Sequence, residues 1–317
     1  MKFSIIIPLY NKAPYVAKAL ESVFSQSFTD FEIILVDDGS KDDSAEIAMQ
    51  CILGHENCRL LKQVNAGVSV ARNNGVEVSK GDNICFLDAD DWWSPNFLEE
   101  MSNLMREYPE AGIYGTGYMI VNETRHKTRV SPIGVEPSFE KGYIDYCKVY
   151  AKTLAMPLWT GAVCIPRPVF DESGGFQPGI KMGEDFLLWM HIALKYKVAF
   201  LNKPLAYYNQ DVDLTNRGVR TTGFEPSSFM TFYFDQFSEE ERVNKDVKIL
   251  LDRLRVFSLL RFRLANQNVK EVDSEINKVD FSNVDRKYLF YYKTPYPFVW
   301  LFVSIKKILS KLKKAMK

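Results

Sequence analysis

FSIIIPLYNKAPYVAKALESVFSQSFTDFEIILVDDGSKDDS, residues 3–44, is the stretch that decides the fold of this chain. Its first seven residues are an apolar, largely β-branched run, which predicts a buried strand over 3–9. A helix is predicted after Pro14, because apolar side chains then recur at helical spacing and proline suits a first turn. A second strand is predicted over 31–36, followed by the turn-forming sequence DDGSKDDS.

The same alternation continues outward from this stretch. We expect a helix over 44–52, a weak strand over 59–63, a helix over 67–77 and a fourth strand over 84–87. Strands that alternate with helices predict a mostly parallel sheet with right-handed crossovers, and ligands bind at the carboxyl ends of such strands. Three polar clusters follow strand ends, namely Tyr10-Asn11-Lys12, Asp37-Asp38 and Asp88-Ala89-Asp90-Asp91. They are therefore expected to converge at one edge of the sheet.

Composition narrows the class of protein. The 317 residues are 46% hydrophobic and 25% charged, as in an ordinary globular protein, and their formal net charge is zero. Residues 293–317 contain seven lysines and no acid, so the remainder is acidic, which argues against a nucleic-acid partner. The five cysteines show no paired spacing, which predicts neither disulfides nor a zinc site. The short apolar run at the N-terminus fits a strand better than a signal peptide, which predicts a cytoplasmic protein.

The stretch CFLDADDWW, residues 85–93, places three carboxylates directly after the fourth strand. Oxygen ligands at this spacing suit Mg²⁺ or Mn²⁺, whose coordination is commonly completed by substrate phosphates. The alternative is an Asx turn followed by a helix N-cap. Both interpretations fit the residues, and Asp91 can cap a helix while Asp88 and Asp90 bind metal.

Asp37 and Asp38 allow two interpretations as well. An acid at the end of the second strand either makes the turn to Gly39 or accepts hydrogen bonds from a nucleotide base or ribose. The chain has neither GxGxxG after its first strand nor GxxxxGK[ST] anywhere, so a dinucleotide-binding fold and a P-loop are both unsupported. Phosphate charge must then be met by a metal ion and by basic side chains such as Arg72.

Taken in order, residues 4–44, the stretch NAGVSVARNNGVEVSKGDNICFLDADDWW (65–93) and the stretch GGFQPGIKMGEDFLLWMHIA (174–193) resemble the family 2 glycosyltransferases of GT-A fold. The resemblance covers about residues 3–210. It implies an α/β fold of GT-A type, with a Rossmann-like, mostly parallel sheet, flanking helices and a C-terminal helical extension.

The resemblance also implies a role for each matching residue. Pro8 and Tyr10 would line the nucleotide pocket, and Asp38, with Asp37, would contact the base. Arg72 would lie near the donor. Asp88 and Asp90 correspond to the DxD motif of the family, which holds a divalent Mn²⁺ or Mg²⁺ on the sugar-nucleotide diphosphate, and Asp91 is able to share or replace one of these roles. Asp185 corresponds to the catalytic base.

The implied activity is inverting, metal-dependent transfer of a sugar from a UDP- or GDP-sugar to a hydroxyl acceptor. The QxxRW motif of processive members is absent, which favours transfer of a single sugar. Trp92, Trp93 and Trp159 are either sugar-stacking platforms or packing residues. The alternative function is a non-catalytic nucleotide- or carbohydrate-binding module at the membrane surface.

The expected domains follow from these patterns. A GT-A domain is predicted over 1–215, with a donor-binding half over about 1–113 and an acceptor and catalytic half over about 114–215. A helical extension is predicted over 216–295 and a basic amphipathic helix over 296–317. Within the extension, a capping box formed by Ser238 and Glu241 predicts one long helix that ends near residue 266.

The last helix combines an apolar face with five or more lysines. Ile305, Ile308, Leu309, Leu312 and Met316 share its apolar face. This composition is typical of a helix that lies on an anionic membrane surface, although a helix packed on the domain or a homodimer seam are alternatives. Membrane binding would place the enzyme on the inner face of the cell membrane. A saccharide or lipid-linked acceptor in bacterial surface polysaccharide or glycolipid biosynthesis would fit that location.

Overall fold

The structure, a computed structural model, describes residues 2–122, 124–212 and 225–315, and for 307–315 only the backbone. Its contacts divide the chain into two compact units, Met1–Met230 and Thr231–Lys317. The predicted boundary near residue 215 lies outside the described residues, as do the side chains of Ile308, Leu309, Leu312 and Met316.

The first unit is built on a ten-stranded sheet. In chain order its strands are β1 (Phe3–Leu9), β2 (Phe31–Asp37), β3 (Cys58–Lys62), β4 (Asn83–Phe86), β5 (Trp92–Trp93), β6 (Ala111–Asn122), β7 (Lys127–Val130), β8 (Lys141–Ile144), β9 (Val163–Pro166) and β10 (Lys197–Asn209). Their spatial order is β3-β2-β1-β4-β9-β6-β10-β5, with β7 beside β6 and β8 beside β10.

The first four strands form the parallel half of this sheet. β1 lies between β2 and β4, with Leu9 opposite Asp37 and Ile6 opposite Phe86, so the carboxyl ends of these strands lie at one edge. In the second half, β9 runs antiparallel to both β4 and β6, whereas β6 and β10 are parallel. The predicted fold class is confirmed: a mostly parallel central sheet, flanking helices and a helical C-terminal region.

Seven α-helices lie in the described residues of the first unit. They are α1 (Val16–Phe24), α2 (Ser44–Ile52), α3 (Val68–Val78), α4 (Phe97–Glu107), α5 (Tyr146–Thr153), α6 (Arg167–Glu172) and α7 (Glu184–Lys195). The apolar face predicted for the first helix is buried, since Val16, Ala19, Leu20 and Val23 are all inaccessible. Together with the inner faces of β1 and β2, these side chains form part of one hydrophobic core.

The second unit is helical. Its helices are α8 (Ser238–Val243), α9 (Lys245–Ser258), α10 (Leu260–Ala265), α11 (Val269–Ile276), α12 (Arg286–Lys293) and α13 (Tyr296–Ala315). Among the described residues, we find no helix with the length and hydropathy needed to span a membrane.

The long helix predicted from Ser238 to about residue 266 is wrong in two respects. It is divided into α8, α9 and α10, and the Ser238 side chain makes no capping hydrogen bond. Asn244 interrupts the chain and caps α9 instead, accepting from the backbone N–H groups of Asp246 and Val247. Glu241 is drawn away by Arg255, whose Nη1 and Nη2 donate to its carboxylate at 2.6 and 2.9 Å. A charged partner outweighs the reciprocal cap bond because ionised hydrogen bonds are the stronger ones.

Candidate active site

The polar clusters that follow β1, β2 and β4 meet at one edge of the sheet. The backbone N–H of Asn11 donates to Ser40 Oγ at 3.1 Å, and that of Ala13 donates to Asp42 at 3.2 Å. Lys12 reaches across to the cluster after β4, where its ammonium lies 2.7 Å from Asp90 Oδ2. The convergence expected from parallel strand ends is therefore present.

A buried arginine joins the end of β4 to the beginning of α7. Arg72, on α3, is only 3% exposed, and its Nη2 donates to Asp88 Oδ1 at 2.8 Å. Its Nη1 donates to Glu184 Oε1 at 2.9 Å. Burial alone would disfavour the charged guanidinium, but the two carboxylates outweigh it and raise the pKa of Arg72. The Arg72 side chain is thus a permanent positive charge between two acids.

Asp91 differs from its neighbours in the DADD cluster. Its side chain is 2% exposed, and its Oδ1 accepts from the backbone N–H of Asn209, at the end of β10, at 2.7 Å. Its own N–H donates to the carbonyl of Asp88, which closes a turn. Burial, followed by the charges of Asp90 and Asp88, raises the pKa of Asp91 well above its usual range. This carboxyl group connects two parts of the sheet.

Asp185 lies in the first turn of α7. The helix begins after Gly183, whose φ of +83° is a conformation that glycine adopts without strain. Asp185 Oδ2 accepts a hydrogen bond of 2.9 Å from Thr160 Oγ1, and its Oδ1 accepts from the N–H of Phe186. Burial raises the pKa of Asp185, opposed by Arg72 and by the Thr160 hydrogen bond. A raised pKa is a property of a carboxylate able to accept a proton near neutral pH.

Among the described residues, the site has more acidic than basic side chains. Two basic groups, Lys12 and Arg72, lie among five acids, which are Asp88, Asp90, Asp91, Glu184 and Asp185. Burial, and then the neighbouring Asp185, raises the pKa of Glu184 to about 7. Burial also raises the pKa of Asp90, although Lys12 opposes the shift. An excess of negative charge with raised pKa values is the environment that a divalent cation stabilises.

The acids after β2 have protein partners. Asp38 is 4% exposed and accepts three hydrogen bonds, from Gln63 Nε2 (2.8 Å) and from the backbone N–H groups of Ala66 (2.7 Å) and Gly67 (2.9 Å). Asp37 accepts from the N–H of Ser40, as in a turn. Pro8 is half-buried in β1 opposite Val36, and Tyr10 is 38% exposed just beyond it. Asp38 thus fixes the loop before α3, the helix of Arg72.

Comparison with known proteins decides the family. The sequence model described as Glycosyl transferase family 2 matches residues 4–173, more than half of the chain. The chain belongs to glycosyl transferase family 2. The family 2 resemblance of the sequence motifs is therefore confirmed.

Relatives and solved structures agree with this assignment. The chain is 44% identical over 106 residues to the uncharacterized glycosyltransferase YibD of Escherichia coli, covering 33% of this chain and 31% of that protein. It is 32% identical over 216 residues to the glycosyltransferase GlyA of Streptococcus pneumoniae, covering 65% and 30%. The chain thus spans about a third of the length of these relatives. The crystal structure of S. aureus TarS 1–349 in complex with UDP-GlcNAc matches with a TM-score of 0.70 at 19% identity, covering 92% of this chain and 82% of that one.

Within this family 2 domain, the described residues include no group of three or more His, Cys, Asp or Glu side chains arranged to hold a metal ion. The carboxylates of Asp88 and Asp90 nevertheless suit a divalent metal ion. Each forms an ion pair with a basic side chain and follows β4 within the acid-rich edge. Magnesium and manganese sites often use only one or two carboxylates and complete their shell with water and substrate phosphate. The two carboxylates therefore suit a metal ion that binds together with the diphosphate of a substrate.

The structure adds three residues of this family 2 site that the sequence motifs did not single out. Lys12 pairs with Asp90, Glu184 pairs with Arg72, and Thr160 donates to Asp185. Lys12 stood in a polar cluster at a strand end, and Glu184 stood beside the acid of the motif. Thr160 begins a short 3₁₀ helix, Thr160–Ala162, and nothing in its local sequence connects it to α7.

The structure also separates the three tryptophans of the site region. Trp93 is 3% exposed, stacks on Phe97, and its Nε1 donates to the carbonyl of Gly161 at 2.6 Å, so it is a core residue. Trp92 is half-buried, and its ring contacts Tyr207, stacked at 5.5 Å, and the ammonium of Lys18, 3.3 Å from the ring centroid. Trp159 stays half-buried at the surface.

Proposed function

We propose that the chain is an inverting, metal-dependent glycosyltransferase that moves one sugar from a UDP- or GDP-sugar to a hydroxyl acceptor. One observation supports this most strongly. Arg72 joins Asp88, at the end of β4, to Glu184, the residue beside Asp185. This pairing supports an anionic-donor site beside a proton acceptor at the carboxyl edge of a parallel sheet, where ligands bind in such folds.

Asp88 and Asp90 are the proposed metal ligands. When bound, Mn²⁺ or Mg²⁺ supplies Lewis-acid stabilisation of the charge that develops on the departing nucleoside diphosphate. Lys12 and Arg72 add fixed positive charge to the same edge, and their partners hold them there before substrate arrives. Asp91 is proposed to have a structural role instead, because its carboxyl group accepts from the backbone N–H of Asn209 and so holds the DADD turn against β10.

Asp185 is the proposed general base. It would accept the proton of the acceptor hydroxyl as that oxygen attacks the anomeric carbon of the donor, and the nucleoside diphosphate would leave from the opposite face, which inverts the configuration. Thr160 and the N–H of Phe186 hold the two carboxylate oxygens in place for this step. A positioned base contributes roughly 10²–10⁴ in rate.

Pro8, Tyr10, Asp37 and Asp38 are proposed to form the nucleoside end of the donor site. Tyr10 offers an exposed ring beyond β1, whereas Asp38 acts by fixing the loop from Gln63 to Gly67. Two TarS structures that share this fold contain UDP-GlcNAc and UDP, which favours a uridine nucleotide here.

The proposed partner of α13 is an anionic membrane surface. Its large apolar side chains are exposed, with Phe298, Trp300 and Leu301 at 63, 56 and 51%. Val299 is fully buried, which anchors the beginning of the helix in its unit. Apolar side chains beside a run of lysines suit the interface of an anionic bilayer. A peripheral enzyme on the inner face would act on lipid-linked acceptors in surface polysaccharide or glycolipid synthesis.

A panel of nucleotide sugars tests the proposal. UDP-glucose, UDP-galactose, UDP-GlcNAc, UDP-GalNAc and GDP-mannose are each incubated with the protein and Mn²⁺, Mg²⁺ or EDTA, and release of nucleoside diphosphate is measured. A family 2 enzyme should release it from at least one donor in a metal-dependent manner, and NMR of the first-formed product should show inversion. Nucleotide binding without release from any donor would favour the non-catalytic binding module.

A further inference from the structure

Trp159 is held in place by ring contacts while part of its side chain remains accessible. The ring packs against Tyr118, with centroids 5.0 Å apart, and against Tyr208, at 5.3 Å. Tyr118 is itself fixed, since it is 6% exposed and its hydroxyl donates to the carbonyl of Met156 at 3.2 Å. Two aromatic side chains from β6 and β10 therefore hold the indole in one place.

Gly161 provides a further contact for the ring of Trp159. A Cβ atom added to Gly161 would lie 2.6 Å from Trp159 Cη2, which is closer than real Cβ atoms approach. The indole thus rests directly on the glycine backbone, and any larger residue would displace it. The carbonyl of Gly161 is held by Trp93 Nε1, so the support is rigid.

Trp159 is also adjacent in sequence to a residue that contacts Asp185. The next residue, Thr160, donates to Asp185 Oδ2 at 2.9 Å. The field of Asp185 reaches the neighbouring ring as well, because its charge contributes to the raised pKa of Tyr118, behind the larger effect of burial. A saccharide stacked on Trp159 would therefore lie beside the carboxylate that is proposed to take its proton.

We propose that Trp159, Tyr208 and Tyr118 form an acceptor subsite that binds a pyranose ring by stacking its C–H face on the indole. This assignment rests on the proposed glycosyltransferase function and adds to it the residue that positions the acceptor. A rigid ring suits this role because it loses little conformational freedom on binding, and aromatic faces match the apolar faces of sugars.

Saturation-transfer difference NMR tests the subsite on the full chain. The probes are the methyl β-glycosides of GlcNAc, glucose and galactose, titrated in the presence of UDP and Mg²⁺. We expect ring C–H signals from at least one probe with the wild-type protein, about tenfold weaker binding for Trp159→Ala, and partial recovery for Trp159→Phe. Gly161→Ala, which displaces the indole without removing it, should weaken binding similarly.

Trp92→Phe is the matched control and should bind the probes as the wild type does, because its ring already contacts Tyr207 and Lys18. UDP affinity, measured by calorimetry on the same samples, separates the two proposals. Retained UDP binding with unchanged probe binding in Trp159→Ala overturns the subsite alone. Absence of probe binding in the wild type overturns it as well. Absence of UDP binding in the wild type contradicts the proposed function itself.

Discussion

Thr160 and Asp185 are joined by a hydrogen bond of 2.9 Å between Thr160 Oγ1 and Asp185 Oδ2, which connects the segment before β9 to the first turn of α7. The bond stabilises the ionised carboxylate and so opposes the effect of burial on its pKa. The bond also fixes the orientation of the carboxylate group, and with it the direction of the lone pairs that remain available to accept a proton. Several measurable properties of the site depend on this contact.

Thr160→Val should shift the acid limb of the pH–rate profile to higher pH. The proposed base works when deprotonated, so activity is lost as pH falls through its pKa. Burial already raises the pKa of Asp185, and removing the Thr160 donor leaves that effect less opposed. The measurement is turnover of the best donor from pH 4 to 9. Thr29→Val, at an exposed threonine, is the control. An unchanged acid limb would show that Asp185 does not govern it.

Asp185→Asn should leave nucleotide affinity nearly intact and lower turnover by roughly 10²–10⁴, the usual contribution of a general base. Asparagine keeps the shape of the side chain and accepts the Thr160 hydrogen bond through its amide oxygen. Calorimetric titration of UDP and single-turnover kinetics separate binding from chemistry. A loss of less than about tenfold in a folded protein would assign Asp185 to the helix N-terminus, where an acid is stabilising without catalysis.

Asp90→Ala should abolish transfer and remove the dependence of nucleotide binding on metal. Asp90 contributes one of the two proposed ligands, and its loss also removes an ion pair of Lys12. UDP is titrated with and without Mn²⁺. Asp171→Ala, at an exposed acid of α6, is the control. Full activity with an unchanged effect of Mn²⁺ would refute the metal assignment.

The combined substitution of Phe298, Trp300 and Leu301 by serine should release the protein from anionic vesicles. These side chains are more than half exposed, so their loss leaves the buried Val299 contact in place. Each lysine near an anionic surface adds about 1 kcal/mol, and salt screens this contribution but not the apolar one. Co-sedimentation with phosphatidylglycerol vesicles at low and high salt is the measurement, and high salt should weaken wild-type binding only partly.

Phe257→Ser is the matched control for the membrane surface, because Phe257 is 54% exposed on α9, in the same helical unit. It should bind vesicles as the wild type does. A wild-type protein that ignores the vesicles contradicts membrane binding. If the triple variant instead converts a dimer to a monomer, the apolar side chains of α13 form a homodimer seam.

Arg255→Met should destabilise the helical unit by about 3–5 kcal/mol, the usual cost of breaking a buried ion pair. Arg255 is fully buried and pairs with Glu241 and Glu275, which would retain their pairs with the more exposed Lys248 and Lys278 but lose the buried one. Hydrogen exchange of peptides from α9 and α11 measures the change. Lys287→Met removes an exposed ion pair with Asp285 and should have little effect. Equal protection in the two variants would show that the buried pair adds no net stability.

The sequence was sufficient for the parallel half of the fold. Strands and helices can be predicted from the pattern of apolar residues along a contiguous stretch. Residues 3–44 contain a strand pattern, a helix pattern and the turn-forming residues that follow them. The convergence of three polar clusters also followed, since parallel strands deliver their carboxyl ends to one edge. The ordered motifs then identified family 2, which the family comparison confirmed.

The tertiary structure decided which partner each charged or aromatic side chain found. Lys12 meets Asp90 across 78 positions, and Arg72 meets Glu184 across 112, so no local pattern predicts either pair. Asp91 likewise accepts from Asn209, 118 positions away, and Glu241 pairs with Arg255, 14 positions away, instead of forming the predicted cap. Packing in the folded chain also decides that Trp93 is buried while Trp159 remains partly accessible. Periodicity depends on neighbours in the chain, whereas burial and charge pairing depend on neighbours in space, and only the folded chain specifies those.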